Sequence, residues 1–334
     1  MRVRFGCVWW LPLLALLAVA GCDNRTGPGD AGWWDAGGDG GDAADDAGDD
    51  AGDSGPADAG GDEEPPPPWR VGSEQTLELA TWNIRNFPAD GQTAERVADL
   101  IAGMQVDLVA VQEIADVYAF GQVLQRLPDY TAVLSEHEYG DGEYQKTGLV
   151  YRSDLVQVRE TRSLFADDGY AFPRPPLEAE VYLHRPDGSV QTLRLIVVHL
   201  KASLGEDNEA RRRDACQKLA AYVDDLVQSG GETEVAVVGD FNDSLDDPPQ
   251  DNVFAVFQQR PDQFRFLTDP LADANDYSYI PARVLIDHLL VSDGLFDTFA
   301  GGQVEAVALD RLVVDYDYLS RVSDHRPIVV ITPW

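Results

Sequence analysis

The chain has 334 residues with 59 acidic and 25 basic side chains, which gives a formal net charge of −34 at pH 7. This length allows one large domain or two small ones. The acidity argues against a protein that binds nucleic acid tightly without catalysis, because phosphate binding usually rests on a basic surface. It does not exclude an enzyme in which a bound divalent metal supplies the local positive charge.

Residues 1–21 predict an export signal. Arg2 and Arg4 provide a positive segment, and an apolar run of 13 residues follows at 8–20. That run is shorter than the roughly 20 residues that a stable transmembrane helix needs. A positive segment, a short apolar core and the small residues at its end are typical of a secretory signal peptide.

Cys22 closes the segment VAGC, which resembles a bacterial lipobox. The resemblance implies cleavage before Cys22 and lipidation of its thiol, with the exported protein anchored to the cell membrane or the outer membrane of a bacterial envelope. An ordinary signal peptide with an incidental cysteine is the alternative. Because Cys7 leaves with the signal, Cys216 is then alone, so we expect no intramolecular disulfide and interpret Cys216 as a small buried apolar residue.

The segment after Cys22 differs from the rest of the chain. Residues 23–68 are mostly Gly, Ala, Asp and Pro, and they carry 14 acidic side chains against the single Arg25. Low hydrophobicity with high net charge predicts disorder. We therefore interpret 22–68 as a lipid-anchored acidic linker and 69–334 as one folded domain, with 45 acidic and 22 basic residues and a net charge of −23.

Short apolar runs and amphipathic stretches alternate through the folded domain. Strand-like runs lie at 77–81, 107–113, 147–151, 180–183, 193–200, 235–239, 284–291 and 327–331. Helical spacing of apolar residues predicts helices at 97–104 and 209–227. Many strands with few intervening helices predict a single α+β domain with packed sheets.

Polar clusters punctuate the ends of these predicted strands. The oxygen donors among them, a type of ligand that Mg²⁺ prefers, are Asn83, Glu113, Asp240, Asn242 and Asp324. Asp240 and Asn242 lie two residues apart, so in extended backbone their side chains would point the same way. Asp287 and His325 could form an oriented acid/base pair. Each cluster alone also has a plain structural explanation, as a strand-to-turn exit or a capped turn.

Taken together and in this order, seven segments resemble the endonuclease/exonuclease/phosphatase superfamily, which includes pancreatic-type deoxyribonucleases, abasic-site endonucleases and neutral sphingomyelinases. They are TWNIRNF, DLVAVQEI, TGLVYR, VVHLKAS, VVGDFND, IDHLLVS and SDHRPIVV. The resemblance covers about residues 76–333. It implies an α+β, four-layer fold, in which a sandwich of two mainly antiparallel sheets is flanked by helices and the catalytic site lies where strand-end loops converge.

The resemblance also implies a metal site. Glu113 resembles the principal metal carboxylate, with Asn83 beside it, and Asp324 would complete the metal shell. The implied metal is Mg²⁺, with Mn²⁺ or Ca²⁺ as alternatives.

The catalytic roles that it implies fall on five residues. Asp240 and Asn242 resemble the pair that positions the nucleophilic water and the scissile phosphate. His325 resembles the catalytic histidine, oriented by Asp287. His199 resembles the second histidine of the deoxyribonuclease branch, placed to bind phosphate or to protonate the leaving oxygen.

Three features near these motifs leave alternatives open. Gln145 falls near the position of the carboxylate that partners the second histidine in pancreatic-type enzymes, so the protonation state of His199 stays open. His288 follows Asp287 on a strand and should point away from the site, as a structural residue. Arg211–Arg213 are interpreted as a solvated helix face, with a contact to phosphate as the alternative.

These observations favour a membrane-anchored, Mg²⁺-dependent nuclease that hydrolyses phosphodiester bonds of DNA, or of RNA, as a monomer. A phospholipid or inositol-phosphate phosphoesterase is the alternative; the acidic surface and the anchor favour it, and the lack of a long apolar loop disfavours it. A non-catalytic surface binding protein is the third hypothesis. The sequence leaves open the substrate, internal or terminal cleavage, the membrane leaflet and the number of metal ions.

Overall fold

The computed structural model describes residues 65–231 and 233–334. The predicted signal peptide, the predicted lipidation site at Cys22 and the linker as far as residue 64 lie outside the described residues. Among the helices within the described ranges, none is long and apolar enough to cross a membrane.

The described chain alternates strands with short helices. The strands are β1 (Thr76–Phe87), β2 (Leu108–Ile114), β3 (Tyr130–Leu134), β4 (Lys146–Arg152), β5 (Val156–Ser163), β6 (Leu177–His184), β7 (Val190–His199), β8 (Val235–Asp240), β9 (Phe264–Phe266), β10 (Asp287–Ser292), β11 (Gln303–Ala306) and β12 (Ile328–Pro333). The helices are α1 (Thr93–Met104), α2 (Val117–Arg126), α3 (Glu206–Gln228), α4 (Ala255–Gln258), α5 (Asp269–Asp273), α6 (Leu309–Leu312) and α7 (Tyr318–Arg321), with a 3-10 turn at Asp293–Leu295.

The strands form two six-stranded sheets, with the orders β11-β12-β1-β2-β4-β3 and β5-β6-β7-β8-β10-β9. Each sheet is antiparallel except for one parallel pair, β1 with β2 in the first and β7 with β8 in the second. A parallel pair needs a long crossover, usually helical, and α1 and α3 supply it. The predicted α+β sandwich of two mainly antiparallel sheets is confirmed.

The sequence of β1 shows why the layers form. Leu77 and Leu79 pack into the core between the sheets, whereas Trp82 and Ile84 pack with α1 residues in a second core. Alternate side chains of a strand point to opposite faces, so β1 is buried on both. The buried face of α3, with Leu219 and Val223, covers the second sheet in the same way. The result is a helix–sheet–sheet–helix arrangement.

Candidate active site

The register of the second sheet places three predicted catalytic residues side by side. Asp240, the last residue of β8, pairs with His199 on β7 and with Asp287 on β10. The two sheets meet here, because Asn83 Nδ2 on β1 donates to Asp240 Oδ2 at 2.9 Å. The carboxyl ends of β1, β2, β7 and β8 therefore contribute to one site.

The site is built on unusual backbone. Arg85, Asn86, Glu113 and Asn242 have φ values of 21°, 43°, 64° and 56°, in a region that L-residues seldom adopt. The pairing of β1 with β2 shifts register between Asn83 and Phe87. Such conformations cluster where function requires a side chain to be aimed away from the regular strand direction.

Asn242 differs from the sequence prediction. The expectation that Asp240 and Asn242 point the same way from extended backbone is wrong, because β8 ends at Asp240 and Asn242 is left-handed. The Asn242 backbone N–H donates to Asp240 Oδ1 at 2.8 Å, an aspartate-capped turn that competes with continuation of the strand. The Asn242 amide instead donates through Nδ2 to Leu200 O at 3.3 Å.

Glu113 is the central residue among those that the first sheet contributes to the site. Its Oε1 accepts from Asn83 Nδ2 at 3.3 Å, and its Oε2 accepts from the Asn86 backbone N–H at 2.7 Å. The Glu113 side chain remains 17% exposed, so its carboxylate reaches solvent. It is placed to contact a ligand that enters the site.

His325 and Asp287 form a buried pair. His325 Nδ1 lies 2.7 Å from Asp287 Oδ2. Burial lowers the pKa of His325, but the charge and hydrogen bond of Asp287, with further charge from Asp240 and Asp324, raise that pKa to about 9. His325 is therefore cationic at neutral pH.

The backbone around His325 is held by its own network. The His325 N–H donates to Ser323 Oγ at 3.0 Å, and its carbonyl accepts from Tyr318 OH at 2.6 Å. Tyr318 OH also accepts from the indole N–H of Trp82 at 3.1 Å. The imidazole is thus positioned from the core of the first sheet.

His199 has the opposite environment. It is buried, and its Nε2 lies 3.6 Å from both Glu113 Oε1 and Asp240 Oδ2. Among the described residues, its Nδ1 has no hydrogen-bond partner. Burial, reinforced by the charges of Arg174 and His325, lowers the pKa of His199 well below its usual value. The ring is neutral at pH 7.

Gln145 bonds elsewhere than to His199. It donates to Asn86 Oδ1, and its Oε1 accepts from Arg174 Nη1 at 3.0 Å. Arg174 also donates to the carbonyls of His199, at 3.1 Å, and Leu200, at 2.6 Å. Arg174, which was not predicted from the sequence, forms part of the support beneath His199. Its position in FPRPP, beside prolines that cannot donate, was the available signal.

Asp324 stands on the exposed side of the site. Its Oδ2 is 3.6 Å from Arg85 Nε, and its Oδ1 is 4.0 Å from His325 Nε2. His288, in contrast, is buried away from these groups; its Nε2 donates to Asp243 O at 3.0 Å and its Nδ1 lies 3.1 Å from Thr268 Oγ1.

The donor set fits a divalent cation. Burial, followed by the charges of Asp287 and Glu113, raises the pKa of Asp240, so a cation beside this carboxylate would stabilise its charged form. Of the predicted ligands, Asn83 and Glu113 are in contact at 3.3 Å, whereas Asp324 lies against Arg85 and His325. Ligand atoms of a second group, Asp240, Asp287 and His325, lie within 4.8 Å of one another. In that second group the Asp287–His325 hydrogen bond already occupies one atom of each partner.

Comparisons with known proteins give matches at the level of sequence and of fold. The sequence profile of the Endonuclease/Exonuclease/phosphatase family matches residues 80–325. A search of curated proteins found no match.

Solved structures share the fold at low identity. The human Nocturnin catalytic domain with bound sulfate has a TM-score of 0.55 and 16% identity, covering 78% of this chain and 95% of that one. An endonuclease/exonuclease/phosphatase from Bacteroides vulgatus gives 0.53 and 18%, with 77% and 98% covered. TDP2 from D. rerio, complexed with a single-strand DNA product, gives 0.53 and 16%, with 77% and 98% covered.

Proposed function

Because the chain belongs to the endonuclease/exonuclease/phosphatase family, whose members are metal-dependent phosphoesterases, we propose that it is a Mg²⁺-dependent nuclease that hydrolyses phosphodiester bonds of DNA or RNA. One observation supports a phosphodiester substrate most directly. Asp240 lies between a neutral His199 and a cationic His325 that Asp287 orients. Such a pair of imidazoles can serve both sides of a phosphodiester.

We assign the first metal ligands to Glu113, Asn83 and Asp324. A bound Mg²⁺ would supply Lewis-acid charge at the phosphoryl oxygens. Asp240 is the proton acceptor for the attacking water, since burial raises its basicity. The Asn242 amide is fixed by its bond to Leu200 O, which leaves its oxygen to orient that water.

The two histidines then divide the remaining work. Cationic His325 donates from Nε2 to a phosphoryl oxygen and stabilises the charge that develops there. Neutral His199 offers a single N–H donor, so its buried setting favours binding of phosphate over protonation of the leaving oxygen. Arg174 holds the backbone of His199 in place through its carbonyl.

The test is a substrate panel with a matched pair of variants. The purified protein with Mg²⁺ is incubated with plasmid DNA, RNA, sphingomyelin and inositol phosphates, with EDTA as a parallel arm. Glu113→Gln keeps the shape of the side chain but removes its charge, so nucleic-acid cleavage should fall roughly 10²–10³-fold. Glu160→Gln, on an exposed position of the edge strand β5, should leave the rate unchanged.

Each result bears on the proposal. Cleavage of plasmid or RNA that EDTA abolishes supports it. Full activity in EDTA contradicts the metal mechanism. Hydrolysis of sphingomyelin or of inositol phosphates with nucleic acid untouched overturns the nuclease assignment in favour of the lipid or inositol-phosphate alternative.

The cellular location is part of the same proposal. We propose that the protein is exported and anchored through lipidated Cys22, with the acidic segment as a spacer and the catalytic domain acting as a monomer outside the cell membrane. The support is the signal-like segment 1–21 and the VAGC motif.

A further inference from the structure

Three cationic side chains of this acidic domain lie close to His199 in the sequence or in the structure. They are Arg174, Lys201 and Arg211. They donate to neutral oxygens: Arg174 to the carbonyls of His199 and Leu200 and to Gln145 Oε1, Lys201 to Ala202 O, and Arg211 to the carbonyls of Gly169 and Tyr170. Across the described ranges, the structure pairs none of the three with a carboxylate within ion-pair distance. Their charge is therefore left for another anion.

The neighbouring cations of α3 differ. Arg212 pairs with Asp243 at 2.7 Å, Arg213 with Glu209 at 2.5 Å, and Lys218 with Asp214 at 2.6 Å. Arg211 is thus the exception on its helix. The three positive charges also lie close enough to repel one another. Burial is the first cause that lowers the pKa of Lys201, and the charges of Arg211 and Arg174 are the next.

An aromatic ring accompanies this charge. Tyr170 is 57% exposed, and the Arg211 guanidinium lies 5.4 Å from the centre of its ring. The loop that carries Tyr170 is firmly built, because Phe165 and Phe172 stack at 4.7 Å and Asp168 is bound by Lys218. The ring is therefore held in place with the Arg211 guanidinium near it, and more than half of the residue remains exposed.

The loop lies next to the catalytic residues. Arg174, four residues after Tyr170, donates to His199 O, and Arg212, which follows Arg211, donates to the carbonyls of Lys201 and Ser203. The segments that carry Tyr170 and Arg211 thus both contact the turn that immediately follows His199, through Arg174 and Arg212.

We propose that Lys201, Arg211 and Tyr170 form a subsite for the single-stranded polynucleotide next to the scissile phosphate. The two cations bind a backbone phosphate, and the Tyr170 ring stacks a base, which requires a base that is free of its own duplex. The proposal rests on the nuclease function and adds the preferred form of the substrate. It also explains how a domain with a net charge of −23 engages a polyanion: the positive charge is concentrated at one place.

The experiment compares two phosphodiesters in the full protein. A single-stranded oligonucleotide offers bases and flanking phosphates, and bis(p-nitrophenyl) phosphate offers neither. Tyr170→Ala should raise KM for the oligonucleotide roughly 5- to 150-fold, the range for loss of one stacked base, and leave hydrolysis of the small diester unchanged. Arg211→Gln should make the negative slope of log(kcat/KM) against log[salt] shallower by about 0.7, the value for one phosphate contact on a single strand.

Tyr182→Ala is the matched control. Tyr182 lies on β6 and also carries an arginine over its ring, Arg159 at 4.0 Å, but it pairs with Thr192 toward the opposite end of the strand from the site. It should leave both substrates unaffected, and thermal melts of all variants report folding.

The outcomes separate the two proposals. If the oligonucleotide is cleaved and Tyr170→Ala matches the wild type, or loses both substrates equally, the subsite is wrong and the nuclease stands. If the wild type hydrolyses the small diester and leaves every polynucleotide intact, the nuclease proposal fails and the subsite with it.

Discussion

Two histidines of the site are driven to opposite protonation states by their nearest neighbours. His325 gains a hydrogen-bonded carboxylate, Asp287, whereas His199 lies in buried surroundings beside the Arg174 charge. Burial disfavours the cation in both rings. His199 also has the carboxylates of Glu113 and Asp240 at 3.6 Å, but the carboxylate of Asp287 is hydrogen-bonded directly to His325, and that bond decides the difference. Sequence analysis left the state of His199 open because its partner could not be read from the chain, and Gln145 turned out to bond to Asn86 and Arg174.

The Asp287–His325 pair should behave as a unit. His325→Ala should lower kcat roughly 10²–10⁴-fold, because it removes the acid/base or phosphate-binding group. Asp287→Asn should cost somewhat less, because the ring remains but loses its orientation and the charge that raises its pKa. The double variant should be little worse than His325→Ala alone.

The measurement is kcat for both single variants and the double variant, with thermal melts alongside. Independent, multiplicative losses would contradict the pair. Losses of activity that follow losses in melting temperature would point to a structural role for both residues.

His288 gives a prediction on stability. Its burial lowers the pKa from 6.5 to about 4, so between these values the unfolded chain binds a proton that the folded chain resists. The contribution of neutral, buried His288 to the free energy of unfolding is therefore complete above pH 6.5 and is lost as the pH falls toward 4. The change amounts to about 3 kcal/mol at most.

The check compares the pH dependence of unfolding in wild type and His288→Gln, by urea denaturation from pH 7.5 to 4.5. Gln cannot titrate, so the stability difference between the two proteins should narrow as the pH falls. Other groups titrate in both proteins and cancel in that difference. A constant difference across the window would show that His288 does not titrate as expected.

At the scale of elements, the interior strands were predictable and the edges were not. Every interior strand of the two sheets matches an apolar run that was predicted from the sequence. The four strands that were not predicted, β3, β5, β9 and β11, are the outer strands of the two sheets. An outer strand is covered on fewer sides, so it has less need for apolar residues. β5, with the sequence VQVRETRS, is mostly exposed and shows no clear apolar alternation.

Helix α3 corrects a sequence prediction. Arg211–Arg213 were expected to be a solvated face, but Arg212 is 4% exposed and lies on the same side as Ala215, Cys216 and Leu219. Residues three, four and seven apart share a helix face. That spacing was the signal that could have identified Arg212 as buried, together with the need for a carboxylate partner.

The Arg212–Asp243 pair should be important for stability. Arg212→Leu leaves Asp243 buried without its partner, so unfolding free energy should fall by about 3–5 kcal/mol. Arg213→Leu is the matched control, because its pair with Glu209 is about one third exposed and should contribute under about 1 kcal/mol. Urea denaturation measures both. Equal losses for the two variants would contradict the distinction.

At the scale of the molecule, the order of motifs along the chain predicted the fold. The two-sheet sandwich follows from strand runs that end in polar clusters, and the structure brings Asn83, Glu113, His199, Asp240, Asp287 and His325 to one place. The left-handed turn at Asn242 and the support from Arg174 did not follow, because both depend on contacts between the ends of different strands.

The anchor belongs to the whole molecule as well. If Cys22 carries lipid, Cys22→Ser should release the protein from the membrane fraction or block its processing, because the variant lacks the thiol to which the lipid is attached. One lipid chain gives only marginal membrane binding, whereas several give firm attachment. Fractionation followed by immunoblotting measures this. Asp23→Ser is the control, because it alters the neighbouring residue and keeps the thiol. Equal membrane retention of Cys22→Ser and wild type would contradict lipidation.

The position of β12 has a consequence for the order in which the site is assembled. This strand lies between β11 and β1, and the residues just before it, Asp324 and His325, complete the site that Asn83 on β1 begins. During synthesis, β1 therefore gains its neighbour β12 only after the strands β2 to β11 have been made. A fragment that ends before Asp324 and His325 lacks part of the site, and we expect it to be inactive.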